Sequence, residues 1–150
     1  MTLLKTAEDE SFAVGGLPLR IGAASPNDRS NRFLVQIRIA EHSLDAFVDT
    51  GAPFSGIVTM QSEWFLKSGY PTIEEQNLRL RGTVIPGKIV RLPVTLPATQ
   101  GESVSFECPF FLATNHWLKK FRPFVGIGGF LDQLRVAFDP TNEMMYFGAG

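Results

Sequence analysis

A carboxylate stands at the end of an apolar segment in the stretch A-F-V-D-T-G-A. Alternate apolar residues from Leu44 to Val48 share one predicted strand face, so Asp49 emerges where the buried strand gives way to a turn. Gly51 suits such a turn, and the backbone N–H groups of Gly51 and Ala52 can hold the carboxylate in its ionised form. The stretch predicts a carboxylate held in a fixed orientation and suited to acid–base chemistry. Taken alone, the D-T-G triplet is explained about equally well by a capped surface turn.

The composition is typical of one folded domain and argues against nucleic-acid and membrane binding. The chain has 150 residues, a net charge of −1, 44% hydrophobic residues and 19% charged residues. It contains no run of five basic residues that would mark a nucleic-acid or membrane-surface patch. Its apolar stretches are too short to cross a bilayer. We therefore expect one domain over residues 1–150, with a small or peptide-like partner.

The single cysteine bears on the compartment. Cys108 has no second cysteine with which to form an intrachain disulfide. The N-terminal sequence M-T-L-L-K-T-A-E-D-E turns acidic before a signal-peptide core could form. These two features predict a cytoplasmic protein that is stabilised by packing alone.

Period-two patterns dominate the chain and predict an all-β fold. F-L-V-Q-I-R-I and L-D-A-F-V-D flank the turn E-H-S and predict a hairpin. L-R-V-A-F-D and M-M-Y-F flank D-P-T-N and predict a second, closing hairpin. Between them lie four further strand patterns, N-L-R-L-R, K-I-V-R-L-P-V-T-L, S-V-S-F-E and P-F-F-L.

The fold predicted from these strands is a closed antiparallel β-barrel with one or two short helices. The helix candidate runs from Met60 to Ser68, because Met60 and Trp64 lie four residues apart and Gly69 follows. The first 30 residues are expected to be partly irregular, with a strand broken at Gly15 and Gly16.

A second motif gives the first one its context. Together with A-F-V-D-T-G-A, the segment F-V-G-I-G-G-F-L resembles the retropepsin-like aspartic proteases, which are single-domain homodimers with an acid-protease barrel. The resemblance extends over roughly residues 33–148. It implies that Asp49, Thr50 and Gly51 are catalytic and that Phe124, Val125 and Gly126 pack under their loop. Thr50 would then grip the loop of the other protomer, and Gly51 would bind the substrate backbone.

The chemistry of peptide hydrolysis gives an independent reason to expect a dimer. Two carboxylates must share one proton, so that the pair acts as a base toward water and an acid toward the carbonyl oxygen. The chain has no second D-T-G or D-S-G triplet. The second carboxylate must come from another copy, which predicts a two-fold homodimer with both Asp49 side chains on the axis.

A lid is expected between the two motifs. The hairpin from Asn77 to Leu92 lies where the family has its flap, with a tip from Gly82 to Gly87; an ordinary exposed hairpin is the alternative. The residues predicted to contact substrate are Ala52, Pro53, Phe54, Gly82, Thr83, Val84 and Ile85. Ile127 departs from the family, which often has a polar or charged residue after this glycine.

Other chemistries have weaker support. His42 and His116 belong to no cluster with ligand spacing, so neither a metal nor a cofactor is implied. A Cys108–His116 nucleophile pair lacks an activating setting. The sequence therefore predicts an aspartic endopeptidase. The alternatives are a non-catalytic β-barrel module that binds peptides or a partner protein, and a chain in which Asp49 is only a turn residue.

Overall fold

The computed structural model describes residues 2–150, and their fold is all-β, as the alternating patterns predict. One short helix, α1 (Ser62–Leu66), and one 3-10 turn (Leu131–Gln133) accompany the strands. In chain order the strands are β1 (Leu4–Lys5), β2 (Ser11–Ala13), β3 (Gly15–Pro18), β4 (Arg20–Gly22), β5 (Arg32–Ile39), β6 (His42–Val48), β7 (Ser55–Ile57), β8 (Thr72–Leu80), β9 (Thr83–Leu96), β10 (Gln100–Gly101), β11 (Val104–Ala113), β12 (Phe124–Val125), β13 (Leu134–Asp139) and β14 (Met144–Ala149).

The largest sheet has eight strands in the order β4-β5-β6-β12-β7-β11-β9-β8. It curls until β5 also meets β9, but only through the pairs Arg38–Thr95 and Ile39–Val94. This contact is short because β8 already occupies the same edge of β9 as far as Val90. The predicted closed barrel is therefore an incompletely closed, curled sheet.

The sheet is also mixed rather than purely antiparallel. β12 pairs in parallel with β6, and β11 pairs in parallel with β7. The remaining pairings of the sheet are antiparallel. Strand alternation in the sequence reports burial and not strand direction, which explains why the parallel pairs were not predicted.

A four-stranded sheet joins the two ends of the chain in the order β10-β3-β14-β13. The predicted closing hairpin is β13 and β14, and β14 pairs with β3. The strand break predicted at Gly15 and Gly16 lies one residue earlier, at Val14 between β2 and β3, and both glycines belong to β3. A Cβ on Gly15 would stand 2.1 Å from the carbonyl oxygen of Glu102, so glycine permits this close packing.

Two apolar clusters cover opposite faces of the eight-stranded sheet. Alternate residues of β6 show the division, because Leu44 and Ala46 belong to the first cluster and Phe47 to the second. The first cluster also contains Leu17, Met145 and further residues of the four-stranded sheet. The second contains, among others, Leu34, Ile85, Phe111, Phe121 and Phe124.

Local elements agree with the sequence except at their ends. The first predicted hairpin is β5 and β6. The predicted helix is shorter than expected, with α1 beginning at Ser62 and ending at Leu66, and Gly69 follows it with a positive φ of 76°. β11 continues through Pro109, where two separate strands were predicted.

Candidate active site

Asp49 lies directly after β6, and its half-buried carboxylate is held by its own turn. The backbone N–H of Asp49 donates to the carbonyl oxygen of Val125 at 2.9 Å. Gly51 N–H donates to Asp49 Oδ1 at 3.0 Å, as predicted. Ala52 N–H donates instead to the backbone carbonyl oxygen of Asp49, at 3.1 Å. Within residues 2–150, Oδ2 has no hydrogen-bond partner, so one carboxylate oxygen is held and the other is open.

β12 lies between β6 and β7 and fixes the start of the Asp49 turn. Phe124 is in register with Phe47 on one side and with Gly56 on the other, and Val125 is in register with Val48. The Phe124 ring lies 5.9 Å from the Phe47 ring, between centroids. The strand that carries Asp49 is therefore bounded by a buried aromatic pair and a backbone ladder.

The glycine segment after β12 packs directly on the turn. The buried hydroxyl of Ser55 accepts a hydrogen bond from Gly126 N–H at 3.0 Å. A Cβ on Gly126 would lie 2.2 Å from the carbonyl oxygen of Phe54, so only glycine fits here without movement. Ile127 N–H donates to the carbonyl oxygen of Ala52 at 2.9 Å. The structure thus brings Phe124, Val125 and Gly126 against the loop that bears Asp49.

Gly51 is unlike Gly126, because the fold of its own chain does not require glycine there. Its φ lies outside the left-handed region, and an added Cβ would meet only Asp49 Oδ1, at 3.4 Å. Thr50 beside it is exposed and makes no side-chain hydrogen bond within residues 2–150. The outer side of the Thr50–Gly51 turn is therefore open space that a second molecule could occupy.

The predicted flap is the hairpin of β8 and β9. Its turn has positive φ at Arg81 and Gly82, a pair of values typical of a tight two-residue hairpin. Val84 is 45% exposed, whereas Ile85 is fully buried in the second cluster. In this conformation Ile85 offers no surface to a ligand, and substrate contact by the flap residues stays a prediction.

The end of this hairpin is attached to the rest of the second cluster. The Arg81 guanidinium lies 5.3 Å from the centroid of the Phe121 ring and donates to Ser25 Oγ at 3.3 Å. Phe121 in turn lies edge-on to Phe47, with 5.8 Å between ring centroids. The turn is thus connected, through Phe121 and Phe47, to the strand that carries Asp49.

A cavity of about 990 Å³ lies farther along this face and was not predicted. Asp45 lines this cavity and lies on the same strand face as Phe47 and Asp49. Asp45 and Asp49 are four residues apart, which corresponds to about 13 Å along a strand. The Asp45 carboxylate forms ion pairs with Arg20 and Arg122. The other lining residues are Ala23, Ala24, Ser25, Pro26, Thr59, Met60, Gln61, Trp117, Leu118, Lys119, Lys120, Phe121, Arg122 and Pro123. The only sequence signal for it is the basic and aromatic run W-L-K-K-F-R, which has no period.

The alternative chemistries find little support in the geometry. Cys108 is fully buried, and this burial raises the pKa of its thiol to about 12, which disfavours a nucleophilic thiolate. His42 stacks on Trp64 with 4.6 Å between ring centroids. Among residues 2–150 there is no group of three His, Cys, Asp or Glu side chains that could hold a metal ion. None of the helices described is long and apolar enough to cross a membrane.

Comparison with known proteins places the chain in no family. No family model matches the sequence, and no curated protein matches it. Among solved structures, the crystal structure of a retropepsin-like aspartic protease from Rickettsia conorii matches with a TM-score of 0.45 and 14% sequence identity. The match covers 87% of this chain and 93% of that one. A likeness of this degree carries no argument about activity, which rests on the site itself.

Proposed function

We propose that this protein is an aspartic endopeptidase whose active site forms when two copies bring their Asp49 carboxylates together. The observation that carries the proposal is the state of Asp49, a fixed carboxylate with one oxygen held by Gly51 N–H and the other open. Nearby carboxylates are already engaged, Asp45 with two arginines and Asp132 with Gly129 N–H. The partner subunit therefore has to supply the second carboxylate.

The paired carboxylates would share one proton, because two like charges a few ångströms apart cannot both ionise. The ionised member takes a proton from a water molecule as that water attacks the peptide carbonyl carbon. The protonated member gives its proton to the carbonyl oxygen, which forms the tetrahedral intermediate. As the C–N bond breaks, the first member passes its newly gained proton to the leaving nitrogen. The second member takes a hydroxyl proton as the new carbonyl group forms, so the pair again holds one proton. The open side of Gly51 leaves room for the substrate backbone to approach this pair.

The cavity beside Asp45 is a candidate pocket for substrate side chains. Because it shares a strand face with Asp49, an extended peptide that crosses Asp49 could reach it within about four residues. Its walls combine apolar side chains such as Met60 and Trp117 with Lys119, Lys120 and Arg122, against the single carboxylate of Asp45. This surplus of positive charge favours apolar and acidic side chains over basic ones.

A lone buried cysteine suits action in the reducing cytoplasm.

The test compares the wild-type protein with Asp49→Asn on an unfolded protein substrate in mildly acidic solution, between about pH 4 and pH 6. The variant keeps the size and shape of the side chain, so it should fold and dimerise as the wild type does. We expect its hydrolysis to fall by about 10²–10⁴-fold. Asp139→Asn is the matched control, since Asp139 lies at the end of β13 in the other sheet.

Two results would contradict the proposal. Hydrolysis by Asp49→Asn at the rate of the wild type would show that Asp49 is not catalytic. If neither protein hydrolyses the substrate but both bind the same peptides, the chain is the non-catalytic binding module. Binding of a hydroxyl-containing transition-state mimic by the wild type would separate a slow enzyme from that module.

A further inference from the structure

The exposed apolar side chain of Ile127 lies beside the candidate active site and belongs to neither apolar cluster. Ile127 is 43% exposed and directly follows the glycine that packs under the Asp49 turn. It is one of six large hydrophobic residues with substantial exposure among those described, and it is connected to the site through the carbonyl oxygen of Ala52. An isolated exposed isoleucine needs no explanation, but one fixed beside an open catalytic loop does.

The backbone that carries Ile127 is held by hydrogen bonds and close packing. Its N–H donates to Ala52 at 2.9 Å, and its carbonyl oxygen accepts from Asp132 N–H at 3.1 Å. The glycines on both sides have no room for a side chain, because a Cβ would lie 2.2 Å from Phe54 O at Gly126 and 2.4 Å from Pro53 O at Gly128. Ile127 is therefore the only side chain that this segment presents outward, and its branched Cβ restricts its rotamers.

We infer that Ile127 is the apolar contact by which two copies of this chain dimerise, packing against the partner's loop face. The loop face consists of Thr50, Gly51, Pro53 and Ile127, all of which are exposed. This inference rests on the proposed function, because the Asp49 site is incomplete without a second copy. Hydrogen bonds join the segment that carries Ile127 to the Asp49 turn. A two-fold axis through the Asp49 pair would therefore bring the two loop faces close together.

The chemistry of Ile127 suits a position near such an axis. In a two-fold contact, every residue close to the axis lies near its own copy. An isoleucine there buries apolar surface without placing a charge beside its own copy. Because the backbone is held and a β-branched side chain has few rotamers, little conformational freedom is lost when the partner covers it.

In a two-fold dimer, a substitution at Ile127 should weaken the association twice, once for each copy. Each dimer contains two copies of the contact, so Ile127→Ser removes it twice. At about tenfold for each copy, the dissociation constant of the dimer should rise about 100-fold. Ile127→Val retains most of the apolar surface and should change dissociation only slightly.

The experiment measures dimer dissociation by analytical ultracentrifugation across a range of protein concentrations. It compares the wild type with Ile127→Ser, Ile127→Val and Ile21→Ser, with circular dichroism to confirm folding. Ile21 is 57% exposed on β4 and serves as the control for loss of an exposed isoleucine. We expect Ile127→Ser alone to dissociate more readily, and its hydrolytic activity to return at high concentration.

The outcomes separate this inference from the proposed function. If Ile127→Ser dimerises as tightly as the wild type, the contact is wrong, whatever the activity of Asp49→Asn. Equal weakening of the dimer by Ile21→Ser would also overturn it. If Asp49→Asn remains active while Ile127→Ser is monomeric, the contact is correct and the catalytic proposal is wrong. A wild type that stays monomeric at every concentration would overturn both.

Discussion

The backbone amide of Asp49 donates a hydrogen bond to the carbonyl oxygen of Val125 at 2.9 Å, across two segments far apart in the chain. This bond extends the parallel pairing of β6 and β12 by one residue, to the position where the carboxylate leaves the sheet. The orientation of Asp49 therefore depends on the glycine segment that follows Val125. Substitutions in that segment should act on the site without touching the carboxylate.

Two glycine substitutions should separate a requirement of the fold from a requirement of function. In Gly126→Ala the new Cβ would lie 2.2 Å from a backbone oxygen of Phe54. We expect a loss of about 1–3 kcal/mol in the free energy of unfolding. In Gly51→Ala the Cβ meets only Asp49 Oδ1 at 3.4 Å, so the free energy of unfolding should stay within about 0.5 kcal/mol of the wild type.

At Gly51, activity should fall although the free energy of unfolding hardly changes. The proposed substrate and partner occupy the open side of this residue, so Gly51→Ala should lose most hydrolysis while remaining folded. Urea denaturation and a peptide hydrolysis assay measure the two effects separately. A fully active Gly51→Ala variant would show that neither substrate nor partner approaches this residue closely.

The buried hydroxyl of Ser55 provides a second test of how the loop is held. In Ser55→Ala, Gly126 N–H loses its acceptor inside the protein, which should lower the free energy of unfolding by about 1–3 kcal/mol. The control is Ser105→Ala, which removes an exposed hydroxyl that bonds only to Thr95. Similar losses for both variants, measured by urea denaturation, would contradict the role assigned to Ser55.

Local patterns were sufficient to predict the parts of the fold that depend on neighbouring residues. β5 and β6 follow from their period of two, and Asp49 was expected where β6 ends. The helix was placed correctly but drawn too long, because the spacing of Met60 and Trp64 does not define its first hydrogen-bonded residue. Both Gly51 N–H and Ala52 N–H were expected to bind the carboxylate. Gly51 N–H does so, whereas Ala52 N–H binds the backbone carbonyl oxygen of Asp49.

The remaining features depend on distant residues. The family resemblance implied only that Phe124, Val125 and Gly126 pack under the Asp49 loop. The position of β12 between β6 and β7 was not predicted, since two residues carry no period. The burial of Ile85 depends on its contacts in the second cluster, with residues from several other strands. The cavity beside Asp45 is assembled from four separate segments of the chain, so no window of sequence contains it.

Asp28 should make the stability of the protein depend on pH. Its Oδ2 accepts hydrogen bonds from Arg32 Nε at 2.8 Å and Ala24 N–H at 2.7 Å. The bond from Arg32, followed by those from the backbone, holds the pKa of Asp28 well below its usual range. Because the folded state has the lower pKa, this carboxylate stabilises the fold above the unfolded value of about 3.9. That contribution is lost progressively as the pH falls below this value.

Asp28→Asn should therefore be destabilised most at neutral pH. Urea denaturation at about pH 7 and at about pH 2.5 should show a difference from the wild type that shrinks in acid. Asp9→Asn is the control, since Asp9 forms only an exposed ion pair with Lys5 among its side-chain contacts. An equal difference at both pH values would mean that the charge of Asp28 does not contribute.

The charge of the cavity beside Asp45 should determine which substrates are preferred. Lys119 and Lys120 line this cavity, so replacing both by Glu reverses the sign of its charge surplus. We expect kcat/KM to fall roughly tenfold for peptides with an acidic side chain within about four residues of the cleaved bond, and to rise for basic peptides. The effect should weaken at high salt because both lysines are exposed. A second double variant, Lys5→Glu with Lys67→Glu, makes the same change of net charge at exposed positions outside the cavity and is the control. If both variants changed the preference equally, the cavity would not be part of the substrate cleft.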